Sequence, residues 1–107
     1  MLVDIRIGNL PENPLEASLL FYNQYVPKAA NTLTGGVDHL VFILPPADAT
    51  HDDWRRAVAR DLGRTYAPKQ VSLIGGGDKA SVDEVLAYLR AAPGITGQYL
   101  PLNDKPS

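Results

Sequence analysis

Apolar residues recur along this chain in two rhythms. In residues 54–66 they keep helical time: Trp54, Val58, Leu62 and Tyr66 fall on one face, with Ala57 and Asp61 between. A turn at Ala67-Pro68-Lys69 follows, then the strand-like run Val71-Ser72-Leu73-Ile74, which leads into three glycines. This stretch is half of a β-α-β unit, and the rest of the chain repeats its logic on both sides. Residues 2–7 alternate instead, with Val3, Ile5 and Ile7 to one side and Asp4 and Arg6 to the other, as in a strand with one wet face at a sheet edge. Residues 40–44, Leu-Val-Phe-Ile-Leu, are apolar on both faces and read as a central strand covered above and below. Residues 98–102 form the last strand, which Pro101 marks as an edge.

Helix signals fill the gaps. Asn13 caps a first helix, Pro14 takes its first position and Glu16 closes a capping box. Its expected buried stripe is Leu15, Leu19, Tyr22 and Val26, and Pro27 should kink or break it. A further turn through Ala29, Ala30 and Leu33 runs to Gly35-Gly36. Asp48 or Thr50 caps the second helix, with Asp52 and Asp53 in its first turn, where the helix dipole favours negative charge. A second capping box, Ser81-Val82-Asp83-Glu84, opens a third helix that buries Val82, Val85, Leu86 and Leu89 and ends at Pro93-Gly94.

The order β-α-β-α-β-α-β predicts an α/β fold with a four-stranded parallel sheet. Residues 1–102 read as a single domain and 103–107 as a polar tail. If all three helices lay on one face, the other would be bare. The two-sided apolarity of residues 40–44 therefore asks for a helix on the far face, or for another molecule there.

Composition narrows the functional classes. A formal charge of −2 gives no long-range attraction to nucleic acid or to an anionic membrane. Cysteine is absent, which excludes disulfides and thiolate chemistry. Residues 1–4 do not read as a signal peptide, and no apolar run approaches the roughly 18 residues of a membrane span. A cytoplasmic location is the default expectation.

Candidate chemistry is sparse. Asp48, His51, Asp52 and Asp53 could gather a metal, but their order lacks a recognised ligand spacing, and acidic residues at a helix start are ordinary capping. Asp38 and His39 are neighbours in a strand and so point to opposite faces. Arg55, Arg56, Arg60 and Arg64 share their helix with Asp52, Asp53 and Asp61 and have no interleaved aromatic platform; a solvated or subunit-facing surface fits them better than RNA. Gly75-Gly76-Gly77 could offer backbone N–H groups to an anion with help from Lys79, although a glycine-rich turn needs no ligand. No metal and no cofactor is expected.

Residues 60–71, Arg-Asp-Leu-Gly-Arg-Thr-Tyr-Ala-Pro-Lys-Gln-Val, are similar to the helix-turn-strand that follows the active site of short-chain dehydrogenase/reductases. The helix Val85-Leu86-Ala87-Tyr88-Leu89 and the run Ile95-Thr96-Gly97-Gln98-Tyr99-Leu100-Pro101-Leu102 resemble that family's close, and Thr96-Gly97-Gln98 is the most specific match. Residues 25–27, Tyr-Val-Pro, ten residues before a glycine pair and a strand, resemble the family's helix before its catalytic serine. The resemblance covers nearly the whole chain and only the C-terminal half of the family fold, a Rossmann-like unit without the cofactor-binding half. Counting back from Ala67-Pro68 places the family's tyrosine near Asp48 and its lysine near Asp52; neither carboxylate could donate the proton or lower its pKa by positive charge. No hydroxyl stands at Leu44-Pro45-Pro46 for the serine.

The resemblance implies a scaffold without the family's catalysis. It further implies that the helix after the active site and the final helix with its strand are subunit interfaces, with Trp54, Arg60, Arg64, Leu89, Tyr99 and Leu100 as candidates. A homodimer or tetramer is expected, with docking onto a full-length dehydrogenase relative as a variant. Binding of a nucleotide or acyl ligand at Gly75–Gly77 is the alternative, and a residual or new enzyme using Asp48 to Asp53 is the third reading. The resemblance also puts the last helix on the opposite face from the first two, through a left-handed crossover.

Overall fold

A computed structural model describes residues 1–102 of the chain. Four parallel strands lie side by side in chain order: β1 (Leu2–Arg6), β2 (His39–Leu44), β3 (Gln70–Gly75) and β4 (Tyr99–Pro101). The α/β class and the four-stranded parallel sheet are those expected. β1 and β4 form the two edges, and Pro101 sits in β4, where its missing N–H breaks no ladder bond on the outer side. β2 buries all six of its residues. The polar tail, 103–107, lies outside the described residues.

Side chains of β2 and β3 alternate between two cores. Leu40, Phe42, Leu44, Val71 and Leu73 face Phe21, Ala29, Val58 and Leu62. Val41, Ile43 and Ile74 face Val82, Leu86 and Leu89. The first core is roofed by α1 (Pro14–Leu20), α2 (Val26–Thr32) and α3 (Asp52–Thr65), and the second by α4 (Lys79–Ala91). The domain therefore has three layers. Every connection steps one strand in the same direction, so moving the helix to the other face reverses the hand of the crossover. The last crossover is opposite in hand to the first two, against the general preference and as the resemblance implied.

The first helix differs from its expected pattern. Leu15, Leu19 and Tyr22 are 80%, 62% and 42% exposed, and the inward row is Ala17, Phe21, Tyr25 and Ala29. A π-helical turn at Phe21–Tyr25 lies between α1 and α2 and keeps that row together. At 100° per residue, a row of every fourth residue drifts roughly 120° between positions 17 and 29 of an α-helix. One extra residue in the π turn returns all but about 20° of that drift. The row thus stays on the core; of the expected stripe, Leu15, Leu19 and Tyr22 lie outside it and Val26 is half-buried against the core. Pro27 does not break the helix: it follows directly on the π turn, at the start of α2.

α4 also starts earlier than its Ser81 capping box suggests. Asp78 is the N-cap, and its carboxylate accepts the Ser81 N–H at 2.7 Å. Asn13 caps α1 as expected, accepting from the Glu16 N–H at 3.1 Å. Among the described residues no helix is long and apolar enough to cross a membrane.

Candidate functional site

The carboxyl ends of β1 and β2 open into a cavity of about 520 Å³. Open α/β sheets place ligands at this end of their strands. One wall is the loop after β1, with Gly8, Asn9 and Glu12, and the other is the loop after β2, with Pro45, Pro46 and Asp48. His51 and Arg55, from the start of α3, complete it.

His51 joins the two walls. Its Nδ1 accepts the Trp54 indole N–H at 3.0 Å, so the ring proton sits on Nε2 and is donated to the Glu12 carbonyl at 2.8 Å. The ring is neutral, 4% exposed and fully used, which leaves neither nitrogen for a metal or a proton transfer. The Asp48 carboxylate accepts from the backbone N–H and the hydroxyl of Thr50, which hold it below the usual carboxylate range. Asp52 pairs with Arg56 at 3.9 Å along the helix. Among the described residues no group of three His, Cys, Asp or Glu could hold a metal.

Arg55 breaks the expected pattern of a solvated basic face. It is 1% exposed, while Arg56, Arg60 and Arg64 point outward. One Nη donates to the Tyr99 hydroxyl at 3.2 Å and the other to the Pro45 carbonyl at 3.1 Å. The guanidinium also lies against the Trp54 and Tyr99 rings, 5.5 and 5.7 Å from their centroids. Its Nε has no hydrogen-bond partner. The spacing held a usable signal: Arg55, Val58, Ala59 and Leu62 form one helical row, and that row is the inward one.

Gly75 allows this arrangement. A Cβ there would lie 2.2 Å from the Tyr99 hydroxyl, so only glycine lets that ring cross to Arg55. The rest of the glycine loop is similarly occupied. The Gly76 N–H donates to the Leu44 carbonyl at 2.9 Å, and Gly77 packs against Leu102. The Lys79 ammonium is 2.7 Å from Asp83 on its own helix.

Asp38 meets the N-terminal ammonium at 2.7 Å, which lowers its pKa. His39 turns inward, is 4% exposed, and its Nε2 has no partner. Burial holds its pKa below the ordinary histidine value.

Among the interface candidates, Arg60 and Arg64 are exposed on α3. Trp54 is half-buried against Phe21, with ring centroids 5.6 Å apart. Tyr99 and Leu100 are half-buried on β4. Leu89 is 1% exposed and belongs to the core under α4, so any contact through that helix would have to use its outward residues, such as Tyr88 at 59% exposure.

The Thr96-Gly97 motif has a packing role. Thr96 Oγ1 accepts the Val71 N–H at 3.0 Å, and the Gly97 N–H donates to the Val71 carbonyl at 2.8 Å, tying this turn to the start of β3. The turn presses on α3 at Gly63, where a Cβ would lie 2.8 Å from the Gly97 backbone.

No curated protein and no solved structure matches the chain. A family model does: the one described as short chain dehydrogenase-like protein matches residues 5–102. The parallel sheet, the fourth helix on the far face and the Thr-Gly turn agree with that match, and the chain belongs to the short chain dehydrogenase-like family.

Proposed function

We propose that this chain is a non-catalytic member of its family that works by self-association, and that the working surface is the outer face of α1 and α3. The exposed apolar ridge Leu15, Leu19 and Tyr22 carries the reading. These residues follow i, i+4, i+7 spacing, so they make one ridge rather than scattered contacts. The ridge ends beside α3: burial first, and then the Asp61 carboxylate, raise the Tyr22 pKa.

α3 supplies complementary charge. Its outward face runs from Asp53 near the amino end to Arg60 and Arg64 near the carboxyl end. Two copies packed antiparallel about a twofold axis would set acid against base, as an isologous interface requires. Burying each leucine of the ridge contributes about 1.5–3 kcal/mol, and a twofold axis counts each twice. The positions where the resemblance places the family's tyrosine and lysine, Asp48 and Asp52, are committed to capping and to an ion pair, which supports a role without that chemistry.

Light scattering on the eluting protein tests this. The expected mass is twice the 11.6 kDa chain, falling to one chain when Leu15 and Leu19 are both replaced by Glu. A wild-type monomer at tens of micromolar would refute self-association, and co-elution with a full-length dehydrogenase relative would then identify the variant reading.

A further inference from the structure

The cavity at the ends of β1 and β2 has features that self-association does not explain. Arg55 is a buried cation, and no carboxylate among the described residues lies within ion-pair distance of it. A guanidinium has five N–H donors, and protein acceptors take two of them here, the Tyr99 hydroxyl and the Pro45 carbonyl. Nε–H is left over inside the protein. Buried charges are ordinarily paired, and a lone one opposes folding unless something offsets it. Arg55 and the Pro45 that anchors it both line the cavity. The charge therefore lies in the wall of a space open to a small molecule, and low-dielectric surroundings focus its field there.

The opposite end of the cavity has the opposite character. Glu12 and Asp48 line it and are exposed, so they stand at its mouth, one on each loop. A simple anion would satisfy Arg55 and be repelled at the mouth. A simple cation would be attracted to the mouth and repelled by the floor. A molecule with an anionic end and a cationic end suits both.

We propose that this cavity binds a small aminocarboxylate zwitterion. Its carboxylate lies against the Arg55 guanidinium at the cavity floor, and its ammonium lies between Glu12 and Asp48. His51 contributes by holding the two loops together. Its ring is neutral and adds no charge to either end. The site stands on observations separate from the α1 and α3 surface, so either proposal survives failure of the other.

The test uses the intact protein and a series of ω-aminocarboxylates with two to six carbons, each compared with the plain carboxylate and the plain amine of matched length and with inorganic phosphate. Calorimetry reads affinity, and the Arg55 Nε–H resonance reads the site. One chain length should saturate, shift that resonance, and bind about 10-fold or more tighter than its carboxylate or amine counterpart. Asp48→Asn should remove most of the preference over the plain carboxylate. Arg55→Met should weaken binding roughly 10- to 100-fold, as expected for loss of a charge-assisted contact. If Arg55→Met does not fold, the wild-type series and Asp48→Asn still decide. Saturation by phosphate or plain carboxylates without preference for the zwitterion would overturn the assignment. So would absence of saturation by every probe, or binding that leaves the Arg55 resonance unmoved.

Discussion

Replacing Gly63 by Ala should destabilise the protein, although it improves a helix. Alanine in the interior of α3 would by itself gain about 1 kcal/mol over glycine. The new methyl would, however, stand 2.8 Å from both the Cα and N of Gly97 and 3.2 Å from Thr96 Oγ1. Backbone cannot swing aside as a flexible side chain can, and this turn is held at both ends. Retreat of Gly97 stretches its 2.8 Å bond to the Val71 carbonyl, and retreat of Thr96 stretches its 3.0 Å bond from the Val71 N–H. Overpacking of this kind costs about 1–3 kcal/mol, and each strained hydrogen bond adds up to about 1 kcal/mol. After the propensity gain, a net loss of about 1–3 kcal/mol remains. For a domain of this size that lowers Tm by roughly 4 °C or more. Urea and thermal unfolding followed by circular dichroism, at one fixed protein concentration, measure it. Gly36→Ala is the control, since a Cβ there meets nothing within 4 Å, and it should be neutral or slightly stabilising. A Gly63→Ala protein as stable as wild type would show that the contact between α3 and the Thr-Gly turn is not tight, and the packing role assigned to that motif would fall with it.

Two further predictions concern pH and capping. Burial lowers the His39 pKa in the folded protein, so between its folded value and the ordinary value near 6.5 the unfolded chain binds the extra proton. Stability should therefore be flat above about pH 7 and fall as pH drops through that window, by at most about 1.4 kcal/mol per unit from this one site. Urea midpoints from pH 5 to 7.5 should show the slope in wild type and lose it in His39→Leu; an equal slope in both would assign it to other groups. Asp78→Ala removes the carboxylate that accepts the Ser81 N–H and should lower stability by about 1 kcal/mol, whereas Ser81→Ala should cost much less; the reverse order in urea midpoints would return the cap to Ser81.

The sequence was legible where one period governs an element. Val58 and Leu62 keep a 3.6-residue rhythm in a regular helix, and Leu40 to Leu44 are apolar on both faces because both faces are covered. It misled where the period changes: nothing in Phe21-Tyr22-Asn23-Gln24-Tyr25 announces the π turn that keeps Ala17, Phe21, Tyr25 and Ala29 in one inward row while Leu15 and Leu19 face solvent. The start of α4 is ambiguous in the sequence because Asp78 and Ser81 are both good caps, and only the backbone geometry chooses between them. Residue type groups Arg55 with its charged neighbours, whereas its position relative to Val58 and Leu62 places it inside. The cavity at the strand ends could not be read in advance, since its walls meet through the His51 to Glu12 bond, 39 residues apart in the chain.

The reversed last crossover has a consequence for how the chain can be divided. All of the helix that covers the second core, including Val82, Leu86 and Leu89, follows Asp78, and the strand residues it covers, Val41, Ile43 and Ile74, precede Gly76. A single cut at Gly77 therefore separates one whole layer from the sheet beneath it, together with the edge strand β4. No cut near the middle of α1 or α3 does this, because the first layer is assembled from two separate stretches of chain. The pieces on either side of Gly77 carry complementary apolar faces and a complementary pair of strands, β3 and β4, which is the geometry of a split protein: two polypeptides that restore one fold by meeting.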